Sequence, residues 1–285
     1  MKKISENLSI IIICLAVLTS CQINDYNINE GESKIVVEGW IEEGEVAHVL
    51  LSRSVPLNEI VDSTNHLNYS IRTAMVIVSD DIDSDTLRLT YTSNYLPPYL
   101  YKGEKIIGQV GKHYKLTIHS FNQTITSETY IPQSVPINKL KYTRTNPTDT
   151  TGYITVEFSN PPDMQNYYQI ATKIESIDEI FVPCLYGNFN SDNFTTQDVS
   201  IQITRGITIF PQRNYDFFFT DGDLIFVRLR TMPKEGFDFW NIWQNEIINR
   251  SNAIFPANNN LKSNIDGGIG IWCGYGQSTI GILAQ

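Results

Sequence analysis

Ile35-Val36-Val37-Glu38-Gly39-Trp40-Ile41 alternates with period two: Ile35, Val37, Gly39 and Ile41 face one way, while Glu38 and Glu42 share the other face with Val36 and Trp40. That period belongs to a half-buried β-strand, because successive side chains of a strand point to opposite faces. The same pattern continues outward in both halves of the chain. Val46 to Ser54 is a second strand, with Glu43-Gly44-Glu45 as the turn between, and Asn58 to Tyr69 reads as a loop. Thr73 to Ser79 and Thr86 to Thr92 are expected to pair around the acidic turn Asp80 to Asp85. Tyr114, Leu116 and Ile118 alternate in the next strand, and Thr124 to Ile131 follows. Gly111 to Ile118 has the form of a tyrosine-corner strand, in which a Tyr hydroxyl ties a corner back to upstream backbone.

Pro132 to Pro136 and the Thr/Asn/Pro-rich Thr143 to Thr151 bracket a change of unit. Beyond it, strands are expected around Ile137 to Tyr142, Tyr153 to Phe158, Asn166 to Ile174, Ile180 to Leu185, Ser200 to Thr204 and Thr279 to Leu283, with Pro161-Pro162-Asp163 as a turn. Tyr215 to Thr220 and Leu224 to Leu229 read as a hairpin whose turn, Asp221-Gly222-Asp223, supplies a positive-φ glycine. One helix interrupts the series at about 235–250: Phe239, Trp240, Trp243 and Ile247 fall on one face, and Pro233 sets the start. The loop Asn249 to Ser263 follows, and the glycines of Asn264 to Trp272 imply close backbone approach or bulging. The expected fold is all-β: two immunoglobulin- or fibronectin-III-like sandwiches in tandem, at 34–132 and 133–285, the second with one inserted helix.

The N-terminus reads differently. Lys2 and Lys3 precede an apolar run from Leu8 to Leu18, broken only by Ser9. As a helix that run spans roughly 16 Å, about half a bilayer core, so it is a secretory leader and not a membrane span. Leu18-Thr19-Ser20-Cys21 then has the form of a lipobox, with no small-x-small site for the soluble-protein peptidase. Residues 1–20 are therefore expected to leave, and Cys21 to carry acyl chains that fix the protein at a membrane. Gln22 to Ser33 is polar and mildly acidic and reads as a tether over 21–33.

Of the 285 residues 41% are hydrophobic and 18% charged, with a net charge of −10, which suits a globular core and excludes phosphate-directed nucleic-acid binding. Cys14 leaves with the leader and Cys21 takes the lipid. Cys184 and Cys273 read as buried free thiols, with a disulfide as the alternative. No G-x-S-x-G elbow, P-loop or dinucleotide fingerprint occurs, so no catalytic residue and no cofactor is expected. His48, His66, His113 and His119 lie on separate segments without ligand spacing. Asp81-x-Asp83-x-Asp85 has the opening of a calcium loop but Thr86 and Thr92 stand where its glycine and glutamate belong, so a solvated turn is expected and no metal. Fifteen tyrosines and four tryptophans would furnish a stacking platform for sugars, although in β-sandwiches aromatics mostly fill cores.

The lipobox, Ile35 to Ile41, Val49-Leu50-Leu51-Ser52-Arg53-Ser54, Asn166-Tyr167-Tyr168 and Asn264 to Ile271 together resemble the Bacteroidetes lipoprotein family labelled domain of unknown function 4249. Trp272-Cys273-Gly274 departs from the Phe-Gly that members often carry there. The resemblance implies an outer-membrane, lipid-anchored location on the periplasmic or cell-surface face, and an accessory or ligand-handling role beside a TonB-dependent receptor. A free-standing glycan- or peptide-binding lipoprotein is the alternative. It carries no catalytic residues over. The acidic tether resembles surface-export signals of such lipoproteins. Asp62-Ser63-Thr64, Asp85-Thr86-Leu87 and Asp149-Thr150-Thr151 resemble their O-glycosylation acceptors, making Ser63, Thr86 and Thr150 candidate sites in expected loops or turns. Trp240 and Trp243, with the loop up to Gly270, are the candidate partner contact.

Overall fold

The computed structural model describes residues 33–55, 65–162, 164–206, 216–249 and 261–285. Its contacts divide the chain after Ser33, and the unit Lys34–Gln285 carries every element described here. The first half forms β1 (Ile35–Glu42), β2 (Val46–Arg53), β3 (Met75–Ser79), β4 (Ser84–Thr86), β5 (Arg88–Tyr91), β6 (Tyr99–Ile107), β7 (His113–Ser120) and β8 (Gln123–Tyr130). The second half forms β9 (Ile137–Arg144), β10 (Thr151–Ser159), β11 (Tyr167–Ile174), β12 (Val182–Asn190), β13 (Asp198–Ile203), β14 (Phe219–Thr220), β15 (Leu224–Met232), helix α1 (Lys234–Asn249) and β16 (Ile269–Leu283). The protein is all-β with one helix among the described residues.

Three sheets carry these strands. A long sheet of eight runs β12-β11-β15-β16-β1-β2-β6-β5, one sheet of four is β4-β3-β7-β8, and another joins β13, β10 and β14 with β9. The two four-stranded sheets lie over one face of the long sheet, each enclosing an apolar core. The first core gathers Val37, Ile41, Val49, Val78, Leu116 and Ile118; the second gathers Ile154, Val156, Tyr168, Ile170, Val227 and Leu229. Period-two alternation explains the sorting, since Ile35, Val37 and Ile41 are buried while Glu38 is not.

These cores separate near residues 132–133, but the long sheet does not. The N-terminal part of β16 pairs in parallel with β1, from Val36 opposite Ile269 to Glu42 opposite Tyr275, and the rest pairs antiparallel with β15. Ile265 and Trp272 complete the first core, so the segment 34–132 is not closed by its own residues. The glycines of β16 make this possible. Gly270, at φ +127°, lies so close to β1 that a Cβ would overlap the Val37 carbonyl oxygen, and Gly274 and Gly276 meet the Tyr130 and Pro132 carbonyls in the same way.

Two expected hairpins are corrected. The stretch 86–92 breaks at Leu87: β4 pairs with β3, whereas β5 crosses to the long sheet and pairs with β6. Likewise Gly222 has the expected positive φ of 93°, but β14 pairs with β10 while β15 pairs with β11 and β16. In both places buried apolar residues, Leu87 and Ile225, turn into the space between layers, and the turn becomes a corner. Part of the second hairpin, Tyr215, lies outside the described residues. The tyrosine corner is present: Tyr114 is buried and its hydroxyl accepts the Gln109 N–H at 2.7 Å.

Candidate functional site

The uncovered face of the long sheet is where chemistry collects. There β1 presents Glu38, Trp40 and Glu42 in a row. Register sets their neighbours: Leu50 and Ile271 flank Glu38, His48 and Cys273 flank Trp40, and Tyr275 lies beside Glu42. Helix α1 packs across this face through Phe237, Phe239 and Trp240, against Tyr167, Met232, Ile271, Cys273 and Tyr275. Its start follows Pro233, whose carbonyl accepts the Phe237 N–H, and Lys234 pairs with Asp238 one turn on at 2.7 Å. Between helix, sheet and the loops at 93–95 and 177–181 lies a cleft of about 800 Å³, built from both halves of the chain.

Two buried charge groups shape its floor. The two carboxylate oxygens of Glu42 each take one guanidinium, Oε2 from Arg228 and Oε1 from Arg230. Arg228 also donates through Nε to Thr279 Oγ1 at 3.0 Å and lies over the Phe181 ring at 3.9 Å. Arg230 donates to Gln169 Oε1 at 2.9 Å and lies over the Tyr275 ring at 5.0 Å. Only 4% of the Glu42 side chain is accessible, so its charge is held by these partners in place of water. The second group is Arg205 with Asp178 at 3.2 Å, the latter also accepting the Ile174 N–H.

Glu38 is the exception. It is open to the cleft, yet the walls crowd it, and no ion-pair or hydrogen-bond partner stands beside it among the described residues. This enclosure pushes its carboxyl up to about 7 from 4.5, with cleft water limiting the effect. His48 stacks on Trp40, ring centroids 5.2 Å apart. Burial, then Lys102, lowers its imidazole to about 4, partly opposed by Glu42, so it is neutral at pH 7. Tyr95 closes on Trp40 at 5.7 Å, and burial raises its hydroxyl to about 12.

Of the residues singled out in sequence, Trp240 and Trp243 both line this cleft. Trp240 is half-buried, its indole N–H donating to the Tyr275 hydroxyl at 2.7 Å, and Trp243 is 38% exposed, edge-on to Trp240. Cys21 and Ser63 lie outside the described residues, as does the side chain of Ile247. Thr86 is exposed, but it sits in the edge strand β4 and not in a loop, because Asp85 beside it turns inward. Burial would raise the Asp85 carboxyl, but the N–H groups of Glu104, Lys105 and Ile106 outweigh it and hold it below its ordinary value. Thr150 is exposed in the turn between β9 and β10.

Cys184 and Cys273 are free, buried and in different clusters, with burial raising both thiols to about 12. Asp80, not the Asp81–Asp85 triplet, organises the acidic turn by accepting the N–H groups of Ile82 and Asp83. Among the described residues no group of three or more His, Cys, Asp or Glu is placed to hold a metal. Sequence reasoning missed the Glu42–Arg228–Arg230 group. Its one local sign is Arg228-x-Arg230, two charges on one face of a strand whose other face carries Ile225, Val227 and Leu229.

The family model described as domain of unknown function (DUF4249) matches residues 23–280. No curated protein matches the chain.

Proposed function

The chain belongs to the DUF4249 family, and from that premise we propose that it is an outer-membrane lipoprotein, non-enzymatic, that handles a ligand for a TonB-dependent transporter. The observation that carries the ligand-handling part is the cleft: its volume of about 800 Å³ suits a small ligand, and aromatic side chains with a few fixed charges line it. Binding is favoured over catalysis because the arginines of the floor are already committed to ion pairs. Glu42 is consumed by two arginines and Arg205 by Asp178, so none of these pairs offers a free acid or base.

The anchoring part rests on the leader and lipobox of the sequence. No helix among the described residues is long and apolar enough to cross a membrane. A lipid at Cys21 and a polar tether of about 12 residues, which as a flexible coil reaches roughly 20 Å on average, would keep the protein at the membrane. A transporter in the same membrane is then met at high effective concentration, and a weak contact suffices. The exposed Trp243, at the side of the cleft, is the contact we favour, since a partner there would also meet the ligand.

A second reading, a free-standing binder, is favoured by one feature: the cleft is walled by this chain's own residues and needs no partner to complete it. The two separate on purification of the tagged, full-length protein in mild detergent. Co-elution of a TonB-dependent barrel, identified by mass, is expected. Its absence, under conditions that preserve other transporter complexes, defeats the partner reading and promotes the free binder. Cys21→Ala should abolish lipid labelling and release the protein from membranes; persistent membrane association would refute the anchor.

A further inference from the structure

We infer that the cleft takes an organic cation, an ammonium or guanidinium group seated between the Glu38 carboxylate and the Trp40 ring, a step that rests on the ligand-binding reading above. The charge balance of the lining points this way. Seven carboxylates line the cleft against three arginines and no lysine, and all three arginines are spent on two of those carboxylates, Glu42 and Asp178. What faces a ligand is therefore negative, and low-dielectric walls concentrate that field on the interior. Among the described residues of the lining an anionic ligand finds no free cation: Arg228 and Arg230 are capped by Glu42 and covered by the Phe181 and Tyr275 rings.

The row on β1 locates the seat. Its two carboxylates flank Trp40 at equal spacing, about 6.6 Å along the strand on each side. One is neutralised by two guanidiniums, while the other has no partner among the described residues and is open to the cleft. Glu38 and Trp40 share one face of β1, so a cation held by the Glu38 carboxylate has the indole as its neighbour along the strand, and an indole attracts positive charge within roughly 6 Å of its ring. His48, stacked on the same indole, is neutral and does not take that role. Tyr95 adds a further ring beside Trp40. Two sources supply this chemistry, a free alkylamine and the basic side chain of a peptide.

The test uses the full chain in detergent, with tryptophan fluorescence and calorimetry as readouts. The probes are butylammonium, neutral butyramide, butyrate, and two blocked tripeptides, Ala-Lys-Ala and its norleucine analogue. The cations should bind roughly tenfold or more tightly than their neutral partners and weaken as salt is raised. Butylammonium binding as well as Ala-Lys-Ala identifies a free amine as sufficient; a strong preference for the tripeptide identifies a basic peptide. Glu38→Gln should cost the cations about tenfold and leave neutral probes unchanged. Equal or better binding of butyramide or butyrate, or unchanged cation affinity in Glu38→Gln, overturns the inference and leaves the binding module standing. If no probe of any charge binds, both fall. The probe series on the unaltered chain decides the matter even if the variant fails to fold.

Discussion

The two faces of the long sheet are made by the same strands and obey opposite rules. On the face toward the four-stranded sheets, β1 places Ile35, Val37 and Ile41, and β16 places Trp272, all buried. The one polar atom Trp272 brings, its indole N–H, is satisfied by the Tyr114 carbonyl at 3.0 Å. On the other face the alternate residues of those strands are Glu38, Trp40, Glu42, Cys273 and Tyr275, under a single helix and beside an open cleft. The first face is a closed core whose stability comes from apolar burial. The second buries Glu42, Arg228 and Arg230, tolerable there only because they pair with one another, and it leaves Glu38 without an ion-pair partner among the described residues. Stability and recognition are thus divided between the two sides of one strand, one residue apart.

Substitutions on the two faces sharpen this contrast. The largest effect is expected from Trp272→Ala, which empties a fully buried site and removes the hydrogen bond to Tyr114 of β7. It should cost up to about 5 kcal/mol, lowering Tm by roughly 10 °C or more in thermal denaturation. A shift of only 1 or 2 °C would mean that the first core does not depend on β16. Next comes Glu42→Gln, which leaves two buried guanidiniums short of a counter-charge. A loss of about 3 kcal/mol is expected, read in the same assay. If Glu42→Gln is neutral, the outer face holds no stored charge and the contrast fails there.

The smallest effect, and the most specific, belongs to Glu38→Gln. The folded carboxyl titrates near 7, above its ordinary 4.5, so the folded chain keeps a proton that the unfolded chain releases. The contribution of Glu38 to stability is therefore greatest below pH 4.5 and falls as pH rises from 4.5 to 7. His48 works in the opposite sense over an overlapping range, and Tyr95, Glu42, Arg228 and Arg230 share the site, so the informative quantity is the difference between wild type and variant. Glu38→Gln should match the wild type near pH 4 and exceed it by under about 1 kcal/mol at pH 8, the exposure of the group keeping the gain small. A variant less stable than wild type at pH 8 would show that Glu38 has a partner.

Local rules carried far in this chain. Alternation put Glu38, Trp40 and Glu42 on the face opposite Val37 and Ile41. The helix begins at Lys234, directly after the proline that marked it, and Gly270 makes the close backbone approach, to the Val37 carbonyl, that the glycines of 264–272 implied. Tyr99–Ile107 escaped, because Lys102, Glu104 and Lys105 interrupt its alternation and its strand character comes from pairing with β2 and β5. Of the candidate contacts, Trp240 and Trp243 were legible as one helix face, whereas the cleft beside them was not.

The amino-acid sequence by itself determined that this is a β protein with one helix, where most of its turns fall, and which residues of each strand share a face. These follow from φ/ψ preferences and side-chain periods that act within a few residues. Only the tertiary structure decided which strands become neighbours: that 86–92 and 219–229 turn corners between sheets, that β16 returns to lie beside β1, and that Glu42 meets Arg228, 186 residues away. Periodicity assigns a side chain to a face but contains no information about what that face will meet. The charges of the cleft were each visible in sequence; which carboxylates the arginines take, and that Glu38 is not one of them, is decided only once the long sheet has closed.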